Sequence, residues 1–149
     1  MIGWRVGWVV GPASVMPDVA KVGIYNVVTP VGIAQPAAAA ALAATDDGVV
    51  DAVAEWKRRR DLVVAELAGL PLTPAAGGWS MLLDVARLGL DSVTASERLL
   101  AQGRIAATPM RHWGEVNGDR FIRFVFSNEP AARLAGMGER VRRALTPDS

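Results

Sequence analysis

Residues 121–127 (Phe-Ile-Arg-Phe-Val-Phe-Ser) alternate strictly, so Phe121, Arg123 and Val125 share one face of an extended chain while Ile122, Phe124 and Phe126 share the other. A strand with so apolar a face needs a sheet, and the sheet needs helices over that face. The flanking sequence offers both. Residues 79–85 read as a second strand, with Trp79, Met81, Leu83 and Val85 on one side. Thr94 and Glu97 form a capping-box pattern that opens a short helix, and Gly103 ends it. Residues 104–108 read as a strand leading into a polar, turn-rich loop that closes near Arg120. Asn128 stands where it would cap a final helix, lined on one side by Leu134, Met137, Val141 and Leu145. Residues 70–149 are therefore expected to form an α/β unit: a sheet of three or four strands, at least partly antiparallel, with helices on one face.

Upstream, a long helix is predicted from Asp46 or Asp47 to Leu67, begun by aspartate and stopped by Gly69 and Pro71. Val49, Val53, Trp56, Val63 and Leu67 recur at helical spacing, interrupted by the charged residues 57–61. The pattern implies a connecting helix, residues 46–69, packed on different neighbours at its two ends. Residues 1–45 open with a strand-like run at 4–10, closed by Gly11 and Pro12. A helix is expected after Ser14, then a loop over residues 26–35, then a helix with Pro36 in its first turn that carries the alanines to Ala44.

The composition removes several function classes. Sixteen basic residues against fifteen acidic give a net charge of +1, too little to attract nucleic acid or an anionic membrane. Without cysteine, and with His112 as the only histidine, no metal site is expected. The longest apolar stretch, residues 37–44, falls far short of the roughly 20 residues a bilayer requires, and no leader pattern is seen. The expectation is a soluble, cytoplasmic chain. Its 51% hydrophobic content and mean hydropathy of +0.24 are high for this size. Two readings compete: alanine-rich usage that inflates the apolar count, or surface that other protein covers.

The segment Met1-Ile2-Gly3-Trp4-Arg5-Val6-Gly7-Trp8 resembles the stretch that follows the Schiff-base lysine in class I and II aminotransferases, S-K-x-x-x-M-x-G-W-R-x-G. Further on, Gly77-Gly78-Trp79-Ser80-Met81-Leu82-Leu83-Asp84 resembles the first small-domain strand of those enzymes. Ala107-Thr108-Pro109-Met110 and residues 119–127 follow in the family's order, so the resemblance spans essentially the whole chain. It is greatest to the branch containing kynurenine, glutamine and methionine aminotransferases. The resemblance implies a fragment of the large pyridoxal-phosphate-binding domain in residues 1–45, the connecting helix in 46–69, and the small domain in 70–149. It further implies pyridoxal 5'-phosphate as cofactor, amino acid and 2-oxo acid as substrates, and a homodimer.

By the same resemblance, Arg5 binds the cofactor phosphate and Arg123 grips the substrate α-carboxylate. Both tasks suit a permanently charged, planar, multi-donor group. Arg5 lies between Gly3 and Gly7, which permit close backbone approach, and its competing reading is a surface arginine at a strand edge. Arg123, on a half-buried strand, would be costly without an anionic partner. Tyr25 falls where the family dimer brings one subunit near the other's active site; the competing reading is an ordinary packed tyrosine. Trp113, beside His112 in the loop before the carboxylate strand, is placed to meet the substrate side chain. Pro109-Met110 departs from the commoner Pro-Gly of the family and leaves the pocket's shape open. Arg58, Arg59 and Arg60 lie among Glu55, Asp61 and Glu66 and read as a solvated helix face.

Amino-group transfer needs an amine at the cofactor, and the two lysines, Lys21 and Lys57, do not stand at the family position. The resemblance places that lysine a few residues before Met1, so no catalytic residue is assigned and the chain alone is expected to be inactive. Three readings stay open. The chain is part of a longer, truncated aminotransferase, or a stand-alone remnant that binds small carboxylates or another protein, or the complement of a separately encoded half.

Overall fold

A computed structural model of the chain describes residues 2–146; Met1, matched above to the motif methionine, lies outside the described residues. The chain divides into two compact units, one up to Val50 and one from Asp51 onward.

In the first unit a short 3-10 turn, Ile2–Trp4, is followed by irregular backbone, then by helices α1 (Met16–Val27) and α2 (Ala34–Ala43). The strand expected at residues 4–10 is not formed. A strand exists only through pairing, and none of the described segments offers this run a partner. Helix α1 starts two residues after Ser14, with Pro17 in its first turn and no side-chain cap. It also runs on through Asn26 and Val27, so the loop before α2 is shorter than expected. Pro36 falls in the first turn of α2, where its missing N–H leaves no bond unmade. Ala34 alone is buried among the described side chains of this unit, while Trp8, Ile24, Val28 and Ile33 are exposed.

Helix α3 (Val49–Glu66) is opened by the two predicted aspartates: Asp46 accepts from the Gly48 N–H at 2.9 Å and Asp47 from the Val49 N–H at 3.0 Å. Its charged middle pairs internally, with Lys57 on Asp61 and both Arg58 and Arg59 on Glu55, but the solvated face expected for the arginine run holds only in part: Arg59 and Arg60 are half-buried and donate to the Ser127 carbonyl at 2.6 Å and the Ala75 carbonyl at 3.3 Å. The sheet follows as β1 (Leu72–Thr73), β2 (Ser80–Asp84), β3 (Thr108–Pro109) and β4 (Phe121–Val125). It is four-stranded and antiparallel throughout, in the order β1-β2-β4-β3. The strand expected at 104–108 is reduced to Thr108–Pro109, since Arg104 adopts φ +52°, a left-handed turn that a strand does not admit.

Between β2 and β3 lies helix α4 (Ser92–Arg98), continued by a π turn, Leu99–Gly103. Its cap is Asp91 and not the Thr94/Glu97 box. The Asp91 carboxylate accepts the Val93 and Thr94 N–H groups, both at 3.0 Å, and the Thr94 hydroxyl at 2.6 Å. A charged acceptor one turn earlier thus engages the hydroxyl that the box would have used. The final helix is broken into α5 (Ala131–Leu134) and α6 (Met137–Leu145) by Gly136 at φ +73°. Pro130, not Asn128, precedes the first piece.

Met81 and Leu83 of β2 and Ile122 and Phe124 of β4 form the inner face, buried against Val63 and Leu67 of α3, Ala95 of α4, Leu99, Leu134 of α5 and Met137, Val141 and Leu145 of α6. Each fully buried Leu, Ile or Val contributes about 1.5–3 kcal/mol. The opposite face, carrying Leu82, Phe121, Arg123 and Val125, is only half-buried, so helices cover one face alone.

Candidate carboxylate-binding site

Arg123 lies in the middle of β4, with Leu82 of β2 and Thr108 of β3 as its partners on the two neighbouring strands. Its guanidinium carbon is 4.9 Å from the ring centroid of Trp79 and 4.5 Å from that of Trp113. Trp79 immediately precedes β2 and Trp113 follows β3, the two strands that flank β4 in the sheet. Among the described residues Arg123 has no carboxylate partner, and its buried Nε has no hydrogen-bond acceptor. Asp119 and Asp84 are engaged by Arg111 and Arg120 instead. Aromatic faces stabilise a cation by about 0.5–2 kcal/mol, yet accept none of its in-plane N–H bonds. The arrangement is an anchored guanidinium whose bonding capacity is unused.

Trp113 sits on a clasped loop, residues 110–120. At its base the Met110 N–H donates to the Phe121 carbonyl at 3.1 Å, and the Trp113 N–H donates to the Met110 carbonyl at 2.8 Å. Across its neck Arg111 and Asp119 pair at 3.0 Å, and the buried Ser92 hydroxyl donates to Asp119 at 2.8 Å. These bonds, with the Arg111 guanidinium foremost, hold the Asp119 carboxyl below its ordinary range. Arg120 Nε donates to the buried Asp84 carboxylate at 2.8 Å and lowers its pKa likewise. Gly118 crosses so close to the opposite side of the loop that a Cβ there would lie 2.5 Å from the Met110 carbonyl oxygen and 2.7 Å from that of Arg111. A largely apolar hollow of about 380 Å³, lined among others by Leu82, Met110, Trp113, Val116 and Phe121, shares Leu82 and Trp113 with the surroundings of Arg123.

Of the residues singled out in the sequence, Arg123 and Trp113 are brought together. Arg5 and Tyr25 belong to the first unit. Arg5 adopts φ +53°, an uncommon conformation for a side-chain-bearing residue, and its side chain is exposed. Tyr25, on α1, is 81% exposed. His112 is exposed beside Trp113. Trp79 was expected on the core face with Met81; it stands one residue before the ladder and turns its ring to Arg123, remaining 45% exposed. The signal for it was the preceding Gly77-Gly78, since Gly78 at φ +76° breaks the alternation. Asp119, Arg111 and Gly118 were also missed, because a loop's own contacts leave no periodic trace.

The unit from Asp51 onward is thus a four-stranded antiparallel sheet with helices on one face, carrying an arginine between two tryptophans that has no acidic partner among the described residues. Residues 1–137 match the family model for aminotransferase class I and II, and the chain belongs to that family. It is 32% identical over 133 residues to an aspartate aminotransferase of Pyrococcus abyssi, a match covering 85% of this chain and 33% of the relative. To an aspartate/prephenate aminotransferase of Thermus thermophilus it is 36% identical over 114 residues, covering 73% and 29%. Among solved structures, the aromatic aminotransferase of Pyrococcus horikoshii superposes with a TM-score of 0.84 at 32% identity, covering 97% of this chain and 39% of that one. The chain thus spans about a third of the length of these relatives. Aminotransferases of this class are pyridoxal-phosphate-dependent.

Proposed function

We propose that this chain supplies the anion-binding arginines of an enzyme that moves an amino group between an amino acid and a 2-oxo acid. Support comes chiefly from Arg123, a guanidinium flanked by two tryptophans, without an acidic partner among the described residues, inside a unit of the family's fold. A bidentate pair with the α-carboxylate would fix two atoms of the substrate and so orient the C–H and amino group relative to the cofactor. Trp113 and the apolar hollow beside it would receive the substrate side chain.

The donors present suit the cofactor in part. Arg5 stands between Gly3 and Gly7 with an exposed side chain, and a permanently charged multi-donor group suits a phosphate. When bound, the cofactor supplies the electron-withdrawing ring that carries the amino group. Neither Lys21, exposed on α1, nor Lys57, paired with Asp61 at 2.7 Å, matches the family's anchoring lysine. The chain by itself is therefore read as inactive, with residues 1–45 a piece of the cofactor-binding domain, 46–69 the connector and 70–149 the small domain. The exposed Val22, Ile24, Tyr25 and Val28 are read as surface that a homodimer covers, with Tyr25 reaching the partner's substrate pocket. The finer placement, near the kynurenine, glutamine and methionine aminotransferases, and the cytoplasmic location rest on the sequence alone.

The test is calorimetric titration of the chain with acetate or an amino acid. Heat that disappears in Arg123→Ala supports the reading; no heat from the intact chain overturns it. Mixing the chain with pyridoxal phosphate and an amino donor is expected to give no turnover, and steady product formation would refute the assignment of inactivity. A second reading, a stand-alone carboxylate-binding module, draws on the fact that Arg123, Trp79 and Trp113 all lie within the second unit. An in-frame upstream sequence encoding the lysine-bearing domain would decide against it.

A further inference from the structure

The surroundings of Arg123 restrict the shape of what it can hold. A guanidinium donates only in its own plane. Its carbon lies over both the Trp79 and the Trp113 rings, at 4.9 and 4.5 Å, and its Nε is enclosed without a partner. The two Nη atoms make no hydrogen bond among the described residues and are not enclosed, so the end of the fork is the edge left for a ligand. Resting on the reading of Arg123 as a carboxylate anchor, we propose that Trp79 and Trp113 act as side walls that make this arginine a shape filter, admitting planar oxyanions and rejecting tetrahedral ones.

The argument is steric. A carboxylate meets the Nη edge with both oxygens and its carbon in the guanidinium plane, so nothing projects toward the rings. A phosphate or sulfonate that offers two oxygens to the same edge must carry its remaining substituents above and below that plane, against the indoles. Charge alone would predict the reverse order, because a phosphate dianion attracts a cation more strongly than a carboxylate does. The filter has a use in a reaction whose cofactor bears a phosphate, since the substrate arginine would not hold the wrong end of the wrong molecule. The clasp at Arg111, Asp119 and Gly118 fixes the loop that carries one wall.

The test uses nitrate and methanesulfonate, two weakly basic monoanions that differ in shape, with acetate as the carboxylate reference. The full chain is titrated with each while the indole N–H signals of Trp79 and Trp113 are followed by NMR, assigned through single Trp→Phe variants. Nitrate and acetate are expected to bind at least about tenfold more tightly than methanesulfonate, one decade of affinity. Trp113→Ala, at a ring that is 61% exposed on a loop, is expected to bring nitrate and methanesulfonate within about twofold of each other. Trp79→Ala, at a ring 45% exposed outside the ladder, provides the same test on the other wall should the first variant disturb its loop. Equal binding of nitrate and methanesulfonate by the intact chain overturns the filter and leaves the carboxylate anchor standing. So does a preference unchanged in both variants. If no anion shifts either indole and Arg123→Ala titrates like the intact chain, the anchor itself is refuted, and the filter with it.

Discussion

Glu66, the last residue of α3, caps α6: its two carboxylate oxygens accept the Gly136 N–H at 2.8 Å and the Gly138 N–H at 2.9 Å. Arg142, one turn further along α6, answers by donating to the Glu66 carbonyl at 3.1 Å and the Ala68 carbonyl at 2.7 Å. The end of one helix and the start of another thus satisfy each other's free backbone groups across some seventy residues of sequence. Gly138 is required there, since a Cβ would collide with the Glu66 carbonyl oxygen.

Glu66→Ala is expected to cost about 1 kcal/mol, the usual worth of an N-cap, read as a lower Tm. The two amide donors, Gly136 first, hold the Glu66 carboxyl below its ordinary range. Its contribution is therefore whole above the unfolded glutamate pKa of about 4.3 and is lost as pH falls through the lower folded value. Melts recorded from neutral pH down into that window should show the gap between wild type and Glu66→Ala closing; a gap constant with pH would refute the assignment.

Gly118→Ala should displace the loop of residues 110–120 without unfolding the sheet. The Met110 and Arg111 carbonyl oxygens leave no room for a methyl group. The expected outcome is an altered near-ultraviolet dichroism from Trp113, weaker carboxylate binding and an unchanged far-ultraviolet spectrum. Binding at the wild-type level would show that the loop's placement is irrelevant to Arg123.

Arg123→Lys keeps the charge and loses both the fork and the flat face that lies over the tryptophans. Carboxylate affinity should fall by about tenfold or more. Calorimetry showing full retention would mean that a point charge suffices.

Leu83→Ala opens a cavity at the centre of the sheet, where Leu83 is fully buried against both β4 and the helices. A loss of about 2–5 kcal/mol in denaturant unfolding is expected. Trp8→Ala, at a ring 68% exposed in the first unit, should change the stability of the second unit by far less.

The sequence by itself determined the pieces whose pattern carries its own cause. Alternation at residues 121–126 gave a strand with Ile122, Phe124 and Phe126 inward, and the aspartates at 46 and 47 opened α3 with their own side chains. Such signals are local: side-chain period, a capping oxygen, a proline in a first turn. Tertiary structure decided everything that depends on a partner distant in sequence. The run at 5–10 stays irregular because a strand is made by its neighbour. Gly136 splits the last helix at the point where Glu66 is waiting to receive its amides. Arg123 was visible as a costly charge on a half-buried strand, but its setting was not. Trp79 reaches it from 44 residues upstream and Trp113 from a loop held by Gly118 and Asp119, because only the antiparallel order β2-β4-β3 lays those three stretches side by side.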